Sequence, residues 1–225
     1  MNRFLKIGHR GAKKYAVENT LDSFKKAINF GVNAIEFDVR QTKDGKIVIL
    51  HDDNLKRVFG VEAFLKNLTL KEVKLLTNNQ IPTLEEAIKF INGKIAKILI
   101  EIKERDITDK VVSIVKKMKF VHRVVIISFH KEVVKRVKEI NKNIETGWIY
   151  VKEKQPLQVA KNLKVNYVIP FYRFCHSKNI SNFHREKIKV IVWTINNLKD
   201  IKTWMKKGVD GVASDDPVLF KKLKF

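Results

Sequence analysis

The sequence predicts an α/β protein built as a closed (β/α)8 barrel, a TIM barrel. Three observations carry that prediction. Eight short runs rich in β-branched and aromatic residues recur along the chain, amphipathic stretches of helical period separate them, and cap or turn residues mark the junctions. Strands that alternate with helices form a parallel sheet, and eight such units close it on itself.

The first run, 4–9, is followed by a helix over 19–30, with Asn19 as its N-cap and Asp22 three residues later. Strand two covers 34–40. Behind it stands Lys43-Asp44-Gly45, and Asp-Gly between apolar runs is a hairpin signal. The run 46–51 is therefore expected to return antiparallel, as an extension of strand two, and to bring His51 back beside Glu36 and Asp38. Residues 54–81 form a short insertion before the second barrel helix, 83–91, which stops at Asn92-Gly93. Strands at 97–103, 123–128, 146–151, 166–171, 189–195 and 211–214 then alternate with helices at 109–118, 131–140, 155–163, 178–185 and 197–206. Lys207-Gly208 ends the last of these. No internal repeat interrupts the order, and one domain over 1–225 is expected.

Composition narrows the class. With 44% hydrophobic and 31% charged residues the chain reads as globular, and no apolar run approaches the length of a membrane span. No signal-like apolar stretch precedes His9, and the single cysteine, Cys175, excludes an internal disulfide framework; both fit the cytoplasm. The net charge of +22 implies a field attractive to phosphates, nucleic acid or an anionic membrane. An AT-rich genome, which favours Lys, Asn and Ile, accounts for the same excess. The basic residues are scattered and form no tail or arm, so no nucleic acid partner is expected.

Several charges stand inside or at the end of β-rich runs, where a charge is costly unless paired or bound to metal. Glu36 and Asp38 are two apart on a strand and share a face, as do Glu101 and Lys103. Near the mouth of a barrel, three converging carboxylates repel unless a hard cation neutralises them. An all-oxygen set favours Mg²⁺, Ca²⁺ or Mn²⁺ over zinc. The alternative is a buried ion-pair network without metal. His9 ends strand one and His51 ends the hairpin return, so both can face one phosphate. Phosphodiester cleavage needs a base for the nucleophile and an acid for the departing alkoxide, and imidazoles serve either role near neutral pH. Arg10 and Lys103 supply a cationic clamp for the non-bridging oxygens. His130 and His176 follow strand ends, while His122 precedes a strand and His184 lies on a helix.

These residues, as spaced, resemble the glycerophosphodiester phosphodiesterase family. The match runs through His9-Arg10-Gly11, Glu18-Asn19-Thr20, Glu36-Phe37-Asp38-Val39, Thr42-Lys43-Asp44-Gly45 and His51-Asp52. It continues through Pro82-Thr83-Leu84-Glu85-Glu86, Glu101-Ile102-Lys103, Ser128-Phe129, Trp193-Thr194-Ile195-Asn196, Gly208-Val209-Asp210-Gly211 and Ser214-Asp215. The resemblance implies a barrel enzyme that hydrolyses glycerophosphodiesters to glycerol 3-phosphate and an alcohol. It implies His9 and His51 as the acid–base pair, and Glu36, Asp38 and Glu101 as ligands of a divalent cation. Arg10 and Lys103 match phosphate contacts, and Trp193 an aromatic wall of the glycerol pocket. Glu18 matches a motif acid, for which a salt bridge orienting Arg10 is expected. A glycerol hydroxyl next to the phosphate is implied as internal nucleophile.

Two departures stand out. Only Arg57 remains where the family commonly carries an Arg-Thr-Thr run after His51-Asp52, and Val17 replaces the usual proline before Glu-Asn-Thr. Rival readings are a phosphatidylinositol-specific phospholipase C, a lysophospholipase D and a non-catalytic polyanion-binding barrel. The first usually has asparagine where this chain has Arg10. The second needs a roomier apolar mouth, which Phe171 and Tyr172 can provide. The third has no use for paired histidines or converging acids.

Overall fold

The computed structural model describes residues 4–223. Eight parallel strands close into a ring: β1 (Leu5–His9), β2 (Ala34–Gln41), β4 (Lys97–Ile102), β5 (Val124–Ser128), β6 (Glu145–Tyr150), β7 (Tyr167–Pro170), β8 (Lys189–Val192) and β9 (Gly211–Ser214). β1 pairs with both β2 and β9, which completes the closure. Seven helices cover the outside: α1 (Leu21–Asn29), α4 (Leu84–Ile91), α5 (Thr108–Lys117), α6 (Lys131–Ile140), α7 (Pro156–Leu163), α8 (Ser177–Arg185) and α9 (Leu198–Lys206). A 3₁₀ segment, Pro217–Lys222, follows the last strand.

Strand alternation sorts the side chains. On β2, Ile35, Phe37 and Val39 point outward to the helices, whereas Ala34 joins Leu99, Ile127, Ile149 and Ile191 inside the ring. Glu36 and Asp38 share the inward phase of Ala34, and Glu101 that of Leu99. Register completes the arrangement: His9 lies opposite Glu36, and Asp38 opposite Glu101. Neighbouring strands are about 4.8 Å apart, so these four side chains gather on two successive rungs near the C-terminal mouth.

The hairpin forms as expected. β3 (Ile47–Ile49) runs antiparallel to β2, with Val39 opposite Ile49 and Gln41 opposite Ile47. Gly45 takes φ 75° at the turn, a value costly for any residue with a Cβ. The Leu50 amide donates to the Asp38 carbonyl, and Arg40 Nε donates to the His51 carbonyl at 2.7 Å, which carries His51 back to the ring.

The insertion carries α2 (Lys56–Phe59) and α3 (Leu70–Leu76) around a satellite core of Val48, Leu50, Leu55, Leu65, Val73 and Ile81. Leu55 and Leu65 are fully buried there, each contributing about 1.5–3 kcal/mol. One expectation is corrected. The N-cap of α1 is Thr20, whose hydroxyl accepts the Ser23 amide, while Asn19 has φ 60° and turns inward. Among the described residues no helix is long and apolar enough to cross a membrane.

Candidate active site

A tight turn launches the site. Arg10 and Gly11 both take positive φ (52° and 84°), and Gly11 packs so closely on Ser23 that a Cβ would lie 2.3 Å from its Oγ. This turn aims the Arg10 amide at Glu36 Oε2, 3.0 Å away. It also buries the guanidinium, whose Nη1 donates to Glu18 Oε1 at 2.9 Å while Nε lies 3.3 Å from Asp38 Oδ2. The salt bridge expected between Glu18 and Arg10 is therefore present.

Glu36, Asp38 and Glu101 are all buried, and one oxygen from each lies within 4.8 Å of the others. Lys103 Nζ sits between two of them, 2.7 Å from Glu101 Oε1 and 3.1 Å from Asp38 Oδ1. Asn19, freed from capping, donates from Nδ2 to Asp38 Oδ2 at 2.9 Å.

Charge is left unbalanced. Burial disfavours the Asp38 carboxylate, but Lys103 and Arg10 overcome it and hold Asp38 well below its usual range. Burial and repulsion from Asp38 push Glu101 up to about 7, and burial with Asp38 and Glu101 pushes Glu36 well above its ordinary value. Two cations thus face three carboxylates, and Arg10 is shared with Glu18 as well. Glu36 Oε1 is buried with no hydrogen-bond partner. An orphaned carboxylate oxygen, an all-oxygen donor set and a shortage of positive charge fit a hard divalent cation.

The two imidazoles are held alike. His9 Nδ1 meets Asp215 Oδ1 at 2.6 Å, and His51 Nδ1 meets Asp52 Oδ1 at 2.6 Å. Asp215 is held at about 2, its burial outweighed by its bond to His9. Asp52 lies below its usual range, with Arg57 and His51 outweighing burial. Both are carboxylates and can only accept, so each Nδ1 carries the proton and each Nε2 is left for other work. Burial lowers the His51 pKa, with Asp38 opposing.

Both histidines line one cavity of about 180 Å³ with Arg10, Glu36, Glu101, Lys103 and Trp193. That space lies below the 300–1,000 Å³ typical of drug-sized ligands and suits a group the size of glycerol phosphate. Its floor is aliphatic, formed by Leu99, Ile127, Ile149, Ile169, Ile191 and Ala213. Trp193 forms one wall, with Nε1 donating to the Ile169 carbonyl and its ring against Phe129 and Phe171. Phe171 and Tyr172 pack on each other, and neither is part of the cavity lining. His130 and His176 also lie outside that lining.

Four supporting residues stand in the sequence motifs without a role in the site assigned to them there. Asp215 lies 206 positions from His9, and no periodicity links them. Asn19 presents as a helix cap. Arg57 donates to Asp52 at 2.5 Å and to Glu18 at 2.6 Å, which couples the His51 support to the Arg10 support. Asp52 stands beside His51 in the motif, and that adjacency was the available signal.

The profile of the Glycerophosphoryl diester phosphodiesterase family matches residues 9–219. A glycerophosphodiester phosphodiesterase from Caldanaerobacter subterraneus subsp. tengcongensis is 32% identical over 229 residues, covering 95% of this chain and 94% of the relative. The crystal structure of a glycerophosphodiester phosphodiesterase from Thermotoga maritima matches with a TM-score of 0.86 at 31% identity over 100% of both chains. A phosphodiesterase from Oleispira antarctica, solved with the product sn-glycerol-3-phosphate, matches with a TM-score of 0.86 at 24% identity, over 96% of this chain and 94% of that one; at that identity the likeness concerns the fold. On the family match and the two closer likenesses together, the chain belongs to the glycerophosphoryl diester phosphodiesterase family and is an enzyme of that kind, a phosphoric diester hydrolase.

Proposed function

We propose that the chain cleaves glycerophosphodiesters to glycerol 3-phosphate and an alcohol, with His9 and His51 as proton donor and acceptor and with Glu36, Asp38 and Glu101 holding a divalent cation. The observation that supports this reading is the convergence of two imidazoles, each held at Nδ1 by a carboxylate, on one cavity lined by Glu36 and Glu101, with Asp38 clustered against both. When bound, the cation neutralises the carboxylates and withdraws electron density from the phosphate.

The remaining roles follow from the chain's own groups. Arg10 and Lys103 face the same cavity and offer fixed donors to the non-bridging oxygens, so little reorganisation is needed as charge builds on phosphorus. One imidazole takes the proton of a glycerol hydroxyl as its oxygen bonds to phosphorus. The other gives a proton to the departing alcohol oxygen as the P–O bond breaks. With the roles exchanged, the same pair opens the cyclic phosphate with water and yields glycerol 3-phosphate. Trp193 and the aliphatic floor pack on the carbon side of the glycerol.

A panel of glycerophosphodiesters bearing choline, ethanolamine, glycerol or inositol tests the reading. Glycerol 3-phosphate should appear from each, should cease on chelation, and should return with added Mg²⁺, Ca²⁺ or Mn²⁺. Full activity in exhaustively chelated enzyme, or release of phosphocholine in place of glycerol 3-phosphate, would overturn it. One observation favours a second reading, hydrolysis of lysophospholipids: the rings of Phe129, Trp193 and Phe171 run from the cavity toward the surface and offer an acyl chain an apolar path.

A further inference from the structure

Among the described residues, the large hydrophobic side chains that stand well exposed gather at one end of the barrel. The large hydrophobic side chains left exposed among the described residues are Tyr15, Val17, Phe64, Leu75, Leu76, Phe129, Val151 and Phe174. Every one lies in a segment that leads from the C-terminal end of a strand to the next barrel helix. Tyr15 and Val17 follow β1, Phe64 to Leu76 follow the hairpin, and Phe129, Val151 and Phe174 follow β5, β6 and β7. None lies on a barrel helix or at the opposite end, among the described residues. Random exposure of apolar groups does not sort by end of the fold.

A cation accompanies several of them. Lys66 Nζ lies 6.0 Å from the Phe64 ring centre, Lys152 Nζ 5.9 Å from that of Phe174, and Lys14 Nζ 6.0 Å from that of Tyr15. Arg173 lies 5.7 Å from the ring of Tyr172, next to Phe174. The acids nearby are partly spent: Glu62 pairs with Lys56, Glu153 with Lys131, and Asp216 with Lys14. Apolar tips set among basic groups match the boundary between acyl chains and anionic headgroups, where rings enter the apolar layer and ammonium groups remain among the phosphates.

We propose that the mouth of the barrel is a docking face for an anionic lipid bilayer, with Phe64, Leu75, Val151 and Phe174 as shallow insertions and Lys66, Lys152 and Arg173 as headgroup contacts. A second copy of the chain is a poorer occupant, because the cations beside these rings would face their own counterparts. A single protein groove fits no better, since the apolar groups are spread around a rim. Docking places the catalytic cavity against the lipid surface. It requires no spanning helix, and its deciding readout is partitioning onto vesicles, so it stands or falls apart from the proposed chemistry.

Sedimentation of the full chain with phosphatidylcholine vesicles, with and without phosphatidylglycerol, tests the proposal. The chain should sediment with the anionic vesicles and remain free of the neutral ones. The combined variant Phe64→Ser, Leu75→Ser, Val151→Ser, Phe174→Ser should lose at least about tenfold in partitioning while hydrolysing a small soluble diester normally. Lys66→Gln, Lys152→Gln and Arg173→Gln should weaken partitioning roughly fivefold per residue. The same charge removed near the far end, by Lys135→Gln, Lys142→Gln and Lys164→Gln, should leave it unchanged. Equal losses from the rim and far-end charge variants would reduce the effect to bulk charge and overturn the proposal. So would undiminished binding of the serine variant, or a dimer in solution that the serine variant dissociates.

Discussion

Loading the acidic cluster with a divalent cation should expel protons. Glu101, pushed up to about 7 by burial and Asp38, is roughly nine-tenths protonated at about pH 6, whereas Asp38 is already charged. Ligation requires the carboxylate form, so adding Mg²⁺, Ca²⁺ or Mn²⁺ to chelator-treated protein at that pH should release about one proton from Glu101, with more from Glu36. At about pH 8 the Glu101 share should fall to roughly a tenth. Affinity should therefore climb as pH rises toward 7 and climb more slowly above it. The sign for stability follows from the same shift. Folded Glu101 holds its proton more tightly than the unfolded chain does, so this contribution is fully present below about pH 4.5 and is lost as pH rises through about 7 in metal-free protein. Saturating cation should flatten that decline. Calorimetric titration in buffers of different ionisation enthalpy measures the protons directly, with Asp38→Asn as the control that should not bind. Binding without proton release near pH 6, or no binding at all, would refute the reasoning.

Other outcomes follow from the same geometry. Asp215→Asn should lower kcat with little change in KM, because an amide no longer fixes the His9 tautomer; the loss falls within the roughly 10²–10⁴-fold that a positioned acid–base group contributes. Arg10→Ala should lower activity at every ionic strength, since the buried guanidinium lies inside the cavity; neutralising exposed lysines should matter only at low salt, where the Debye length exceeds about 10 Å. Glu18 is held at about 2, its burial outweighed by Arg57 and Arg10, so its stabilising contribution is full above about pH 4.5 and fades as pH falls toward 2. The urea midpoints of wild type and Glu18→Gln should converge over that interval, and a constant gap would contradict the ion-pair account.

Much of the site was legible because it rests on short-range rules. Alternation along a strand placed Glu36 and Asp38 on one face and Glu101 with Lys103 on another, and the register of β1, β2 and β4 then brought them together. Asp44-Gly45 announced the hairpin that returns His51. What remained hidden depends on long-range closure. Asp215 reaches His9 only because β9 pairs with β1, a consequence of the ring as a whole. Asn19 obeys cap statistics locally, yet Thr20 takes that role and Asn19 serves Asp38. The departures from the family pattern also became interpretable. Arg57 bridges Asp52 and Glu18, and Val17 sits exposed at the surface, clear of the cavity. The clustering of exposed apolar groups at the mouth was invisible to periodicity, which reports pattern and not accessibility.

The division of labour between the two imidazoles is tested most directly by changing the leaving group. His9→Ala and His51→Ala should each fold normally and lose about 10²–10⁴-fold on glycerophosphocholine, whose alcohol departs poorly without a proton. On a nitrophenyl ester of glycerol phosphate, whose phenolate departs unaided, only one of the two variants should recover most of its rate. That one lacks the acid, and the other, still lacking the base, should remain slow. Recovery of both variants, of neither, or near-normal turnover of either on the choline ester would contradict a two-histidine mechanism.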